Sequence, residues 1–161
     1  MNLKQKIGQI AYRVGKPVIA LAFRFGRPRT RVFVLQGNDV LLVQSIIGSG
    51  KWELPGGGLR YGEKPLEGAR RELKEELRLN VATSSFSMLS TQPVQVTHDA
   101  SFFSAWPLLV RLQKRPTLHI RTTELLRAEW VAVGSLVGMS DLDESVRQLS
   151  ALLKEYQNLL K

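Results

Sequence analysis

Residues 57–79 read GGLRYGEKPLEGARRELKEELRL. The beginning is rich in glycine, and the pattern turns helical at Pro65, whose fixed φ suits a first helical turn. Leu66, Ala69 or Arg70, Leu73 and Leu77 step by three and four, so the spacing predicts a helix over 65–77 with one apolar face. Glu72, Glu75 and Glu76 are related by i, i+3 and i+4, which places three carboxylates on one face. Such a cluster repels itself, and only Arg71, with Arg70 or Lys74, offsets it along the helix. Hard divalent cations such as Mg²⁺ and Mn²⁺ prefer oxygen ligands of this kind. Gly56, Gly57 and Gly58 precede the helix and let backbone approach a metal or a phosphate closely. A solvated helix face has the same composition, so the helix alone leaves both readings open.

Outward from this stretch the chain alternates short apolar runs and turns. Residues 31–35 (RVFVL) and 40–43 (VLLV) flank Gly37-Asn38-Asp39 and predict a hairpin. Residues 48–50 mark a loop. Residues 81–96 predict one or two strands, 100–112 a buried strand bent at Pro107, 118–123 another strand, and 128–133 a further one. Ser140, with Asp143 three residues on, predicts the cap of a last helix whose stripe is Leu142, Val146, Leu149, Leu152, Leu153 and Tyr156. Strands and helices without regular alternation imply an α/β fold with a mixed or antiparallel sheet between helices.

The composition narrows the chemistry. With 161 residues, 43% of them hydrophobic, the chain forms one folded domain with at most a short arm. The absence of cysteine removes disulfides, thiolate nucleophiles and Cys-ligated metals, and fits a cytoplasmic setting. His98 and His119 are too few for a histidine-rich metal site. The net charge of +9 is uneven: residues 1–38 hold eight basic residues and no acid. The chain therefore reads as a basic arm over 1–28 and a nearly neutral domain over 29–161. Within the arm Leu3, Ile7, Ile10 and Val14 recur at helical spacing. Such an arm packs on its own domain or contacts an anionic membrane surface or RNA. Its apolar stretches are too short to span a bilayer.

The glycine-to-helix segment resembles the Nudix box, G-x5-E-x7-R-E-U-x-E-E-x-G-U with U aliphatic. Here it runs Gly57, Glu63, Arg71, Glu72, Leu73, Glu75, Glu76 and Leu79, and WELPGGG runs into it as is typical of that family. Arg78 departs from the pattern, standing where the family has a helix-closing glycine, and Arg60 stands where many relatives carry an acid. The resemblance implies an α/β/α sandwich and metal-dependent hydrolysis of a nucleoside diphosphate linked to another moiety, with Mg²⁺ or Mn²⁺ as cofactor and a nucleotide as substrate. It implies Glu72, Glu75, Glu76 and the Gly57 carbonyl as metal ligands, with Glu76 foremost. Arg71 and Glu63 orient helix and loop behind them, and Arg71 thereby supports catalysis by Glu75 and Glu76. Arg60, Gly56 and Gly58 are candidates for contact with substrate.

The base varies within the family, and a frequent pattern sets an acid five residues before a Glu-Trp pair. Glu124 occupies that position before Glu129-Trp130, and Asp99 is its rival. Glu53 reads as a surface residue on the approach to the loop. Trp52, Trp106 and Phe103 are either core residues or rings that stack on a base. Residues 48–51 (GSGK) lack the remaining positions of a phosphate loop. Two other function classes stay open on sequence: a nucleotide-sensing module without turnover, and a membrane- or RNA-associated protein acting through its arm.

Overall fold

Apolar residues run without a break through 32–35 and 40–43, so neither strand has a face to leave in water. The computed structural model describes residues 26–98 and 101–159, together with residues 6, 7, 10 and 15, and shows how both faces are covered. Strands β1 (Arg29–Gln36) and β2 (Asp39–Ser45) form the expected hairpin, turning at Gly37 with a φ of 58°. They are followed by helix α1 (Pro65–Leu77), β3 (Phe86–Met88), β4 (Val94–His98), β5 (Ser101–Arg111), β6 (Leu125–Ala132) and helix α2 (Glu144–Leu159). The sheet runs β3-β5-β1-β2-β6, with β4 also on β5. The β1–β5 pair is parallel and the others are antiparallel, so the sheet is mixed.

Alternation along the hairpin distributes its side chains to two cores. Phe33, Leu35, Val40 and Leu42 pack with Val146, Leu149 and Leu153 of α2. Val32, Val34, Leu41 and Val43 pack with Ala69, Leu73 and Leu77 of α1. The result is the expected α/β/α sandwich, and α1 lies against the one face from which its glutamates reach the glycine-rich loop.

The helix ends as an unusual sequence dictates. Arg78 adopts a left-handed φ of 59°. Its N–H reaches the Lys74 carbonyl at 3.2 Å, and the Leu79 N–H reaches that of Leu73 at 3.1 Å. The bond from Arg78 to Lys74 is the αL closure usually made by glycine. An arginine there costs about 1 kcal/mol relative to glycine.

Two local expectations need correction. Residues 118–123 form no strand. The His119 N–H donates to the Leu77 carbonyl at 3.3 Å and the Arg121 N–H to that of Glu76 at 2.8 Å. The segment therefore satisfies the open end of α1 instead of adding to the sheet. The cap of α2 is Asp143, not Ser140: its carboxylate accepts the Ser145 N–H at 3.0 Å. A chain fixed by the Trp52–Asp141 and Asp143–Trp52 backbone bonds enters the helix two residues later than the apolar stripe suggests.

Most of the expected arm, including Leu3 and Val14 of its stripe, lies outside the described residues, as does Asp99. Ile7 and Ile10 are exposed. Among the described residues no helix is long and apolar enough to cross a membrane.

Candidate active site

The buried face of α1 carries Glu72 and Glu76 among Ala69, Leu73 and Leu77. Two ionisable groups at core spacing need donors from the facing loop. For Glu76 the donor is the Gly56 N–H, at 3.0 Å from one carboxylate oxygen. Gly56 has a φ of 133°, and a side chain there would collide with the Thr30 backbone. Only glycine brings that N–H to Glu76. Gly57 lies directly on the Glu72 carboxylate, with no room for a Cβ. The Gly57 carbonyl accepts the Thr30 N–H at 2.8 Å, which ties the loop to β1.

Arg71 organises the exposed end. It donates to both Glu63 oxygens at 2.7 and 2.8 Å, to Glu72 at 2.7 Å and to the Gly58 carbonyl at 3.0 Å. This bidentate hydrogen bond holds the Glu63 carboxyl down at about 2. Glu63 also accepts the Arg60 N–H at 2.8 Å, so one carboxylate clips both ends of the loop to the helix. Glu75 sits at the rim, a third exposed, where the Arg60 guanidinium meets it at 2.9 Å.

Glu53 is not on the surface. It is 6% exposed and paired at 3.0 Å with Arg31, itself 4% exposed. Arg31 also donates to the Gly56 carbonyl at 3.0 Å and so braces the residue whose N–H serves Glu76. Sequence reading missed this pair, although one arginine inside the apolar run 31–35 demands a buried acid. Arg29 lies beside it, and burial, with the neighbouring Arg31 charge, pulls its pKa down to about 10. Trp52 and Phe103 are buried in the core next to α2, and Trp106 packs against the other core, so none of the three is a free stacking platform.

A cavity of about 210 Å³ gathers Arg29, Arg31, Glu53, Gly56, Glu76 and Glu124. Glu124 is half-exposed at its mouth and paired with Arg121 at 3.0 Å. The structure thus joins Glu76 and Glu124, places Glu72 behind them against Gly57, and leaves Glu75 on the flank. Among the described residues no three Asp, Glu or His side chains are gathered as a group that could hold a metal ion. Glu72, Glu75 and Glu76 each engage a protein donor instead. Burial first, then the Glu72 and Glu53 charges, push the Glu76 pKa up to about 8 against the bond from Gly56. A hard cation among these oxygens would offset those charges, so the donor set fits Mg²⁺ or Mn²⁺. Engagement of Glu72 and Glu75 by it would require Arg71 and Arg60 to give way.

Comparison with known proteins agrees with this geometry. An RNA pyrophosphohydrolase from Helicobacter pylori is 31% identical over 78 residues, 45% of this chain and 48% of the relative. The matched segment therefore spans about half of that relative's length. The NUDIX domain of NrtR from Shewanella oneidensis, solved with ADP ribose, superposes with a TM-score of 0.67 at 18% identity, covering 85% of this chain and 92% of that one. A MutT NUDIX hydrolase from Burkholderia pseudomallei gives 0.66 at 19% identity over 78% of this chain and 96% of its own. These likenesses show a shared fold. The family model for the NUDIX domain matches residues 26–153, the whole sheet, the glutamate-bearing helix and most of α2, and the chain belongs to that family.

Proposed function

We propose that this chain hydrolyses the pyrophosphate bond of a nucleoside diphosphate linked to another moiety, such as a nucleoside triphosphate or related nucleotide, with Mg²⁺ or Mn²⁺ bound. The observation that carries this reading is the cavity where buried Glu76 and Arg31 meet partly buried Arg29 and half-exposed Glu124. Acids for a cation and guanidinium groups for phosphate stand in one small space. The name of the Helicobacter relative and the ADP ribose held by the Shewanella domain supply the substrate class, since both chemistries contain a phosphoanhydride beside a nucleoside. A cytoplasmic setting suits a nucleotide substrate.

Glu72, Glu75, Glu76 and the Gly57 carbonyl would hold the cation, which would supply the charge that neutralises phosphate oxygens and acidifies the attacking water. The chain's own residues do the remainder. Arg29 and Arg31 orient the phosphates from the cavity floor. Arg60 and the backbone of Gly56 and Gly58 contact the substrate at the loop. Glu124 takes the proton of the attacking water at the mouth. Arg71 and Glu63 keep loop and helix in register, because in-line attack depends on positioning.

The test is release of phosphate and pyrophosphate from nucleoside triphosphates, nucleotide sugars, dinucleoside polyphosphates and 5′-triphosphorylated oligonucleotides. Release that needs Mg²⁺ or Mn²⁺ and stops in EDTA is expected. Tight nucleotide binding with no turnover of any compound would contradict the reading and make the chain a nucleotide-sensing module.

A further inference from the structure

The two departures from the Nudix pattern, Arg60 and Arg78, come together in space. Both line a cleft of about 950 Å³ with Glu75, His119, Arg121 and Thr123, and both line an adjoining cleft of about 570 Å³ with Arg70 and Lys74. We infer that these clefts are an extended polyanion site receiving the phosphodiester backbone of a single-stranded oligonucleotide whose phosphorylated 5′ end enters the catalytic cavity. The placement of that end rests on the hydrolase reading above.

Continuity is the first support. Thr123 lines both the larger cleft and the cavity that holds Glu76 and Glu124. Arg121 bridges to Glu124 at 3.0 Å and Arg60 to Glu75 at 2.9 Å, so the cations begin where the reacting groups end. A substrate that continues past the anhydride has one charged path to follow.

Charge is the second support. Arg60, Arg70, Lys74, Arg78 and Arg121 face these clefts, and Glu75 is the one carboxylate among the described lining residues. The side chains of Arg60 and Arg121 are 66% and 47% exposed, reachable by a chain lying over them. Arg78 holds its place in a left-handed conformation that glycine would adopt at lower cost. Its cation also suits the carbonyl end of α1, but a lysine or arginine one turn earlier does this without backbone strain, and Lys74 is already there.

Shape is the third support. The larger cleft reaches the upper end of the ~300–1,000 Å³ range of small-molecule pockets, and the second extends it. No Phe, Tyr or Trp lines either one among the described residues. Base stacking is therefore not what holds the ligand, and phosphate contact is.

The test is fluorescence anisotropy of a 3′-labelled, 5′-phosphorylated ten-nucleotide single strand, as RNA and as DNA, titrated in EDTA over a range of salt. Wild type is compared with Arg78→Gly, Arg121→Gln and Lys154→Gln, the last on α2 across the sheet. The basic arm is common to all and cancels. Arg78→Gly and Arg121→Gln should each reduce the slope of log K against log salt by about 0.7, one phosphate contact on a single strand, while Lys154→Gln keeps the wild-type slope. Arg78→Gly should melt at or above the wild-type temperature, which separates lost binding from lost folding. Similar slopes for RNA and DNA support backbone recognition. Unchanged slopes in both cleft variants, or binding of inorganic polyphosphate with neither strand bound, overturn the inference. No turnover enters this titration. A chain that binds the strand without hydrolysing any nucleotide contradicts the reaction alone, and one that hydrolyses nucleotides without binding the strand contradicts the cleft alone.

Discussion

Glu53 and Arg31 exchange charge in a space that water barely reaches, with side chains 8% and 5% exposed. Removing one partner of such a pair leaves the other charge buried and costs about 3–5 kcal/mol. Glu53→Ala should therefore lower stability by that order in denaturant titration, whereas Arg31→Met with Glu53→Leu should lose far less stability. Arg78 acts in the opposite direction. Arg78→Gly should raise stability by about 1 kcal/mol, read as a higher melting temperature, because the left-handed position no longer carries a Cβ. The sequence signals these two residues unequally. Arg78 is visible as a break in a fixed pattern. Glu53 looks like any polar residue beside a loop until the strand that carries Arg31 is folded against it. A charge pair across 22 positions of chain has no local periodicity to announce it.

Helix α1 was legible to both of its ends, because Pro65, the apolar stripe and the Arg78 closure are all written locally. Its bearing on the site was legible only in part. Spacing puts three glutamates on one side, but packing sorts them: Glu72 and Glu76 are buried and Glu75 is left on the rim. Leu73 is fully buried between those glutamates and the sheet. Leu73→Ala should cost about 2–5 kcal/mol in stability. The segment 118–123 was misread as a strand because its residues alternate, whereas the exposed carbonyls of α1 claim its N–H groups. The junction of β4 with α2 was also hidden. Buried His98 meets Asp143 there at 2.9 Å. Burial pulls His98 down, but the hydrogen bond to Asp143 and the Glu53 charge outweigh it, so its pKa lies above 6.5. Burial pushes Asp143 up, but His98 and Ser145 outweigh it and hold it below 3.8. The pair thus contributes fully from about pH 4 to pH 6.5. Its contribution is lost as pH rises through the raised His98 value and as pH falls through the lowered Asp143 value. Melting temperatures should decline from pH 6 to pH 8.5 more steeply in wild type than in His98→Asn.

Across the whole molecule, one mixed sheet separates two cores, and each core answers to one helix. That division was legible from uninterrupted apolar runs in a hairpin, which exclude a sheet with a wet face. The order of strands was not, because the parallel β1–β5 pair joins residues 76 positions apart and depends on crossovers that no short motif records. The same sandwich sets where the chemistry lies. On the α1 face Glu72 and Glu76 meet the glycine-rich loop, while Arg31, on the α2 face with Phe33 and 5.2 Å over the Phe103 ring, lines the same cavity. Everything proposed for catalysis converges on Glu76, a buried carboxylate of α1 that accepts the Gly56 N–H of the loop. The decisive comparison is hydrolysis of a responsive nucleotide by wild type and by Glu76→Gln, each with Mg²⁺ and each in EDTA. Gln keeps the shape and still accepts the Gly56 N–H, so a loss of rate reports on charge. Wild-type turnover that vanishes in EDTA and falls at least about a hundredfold in Glu76→Gln is expected; a variant that folds and retains the wild-type rate would contradict the assignment of this cavity as the active site.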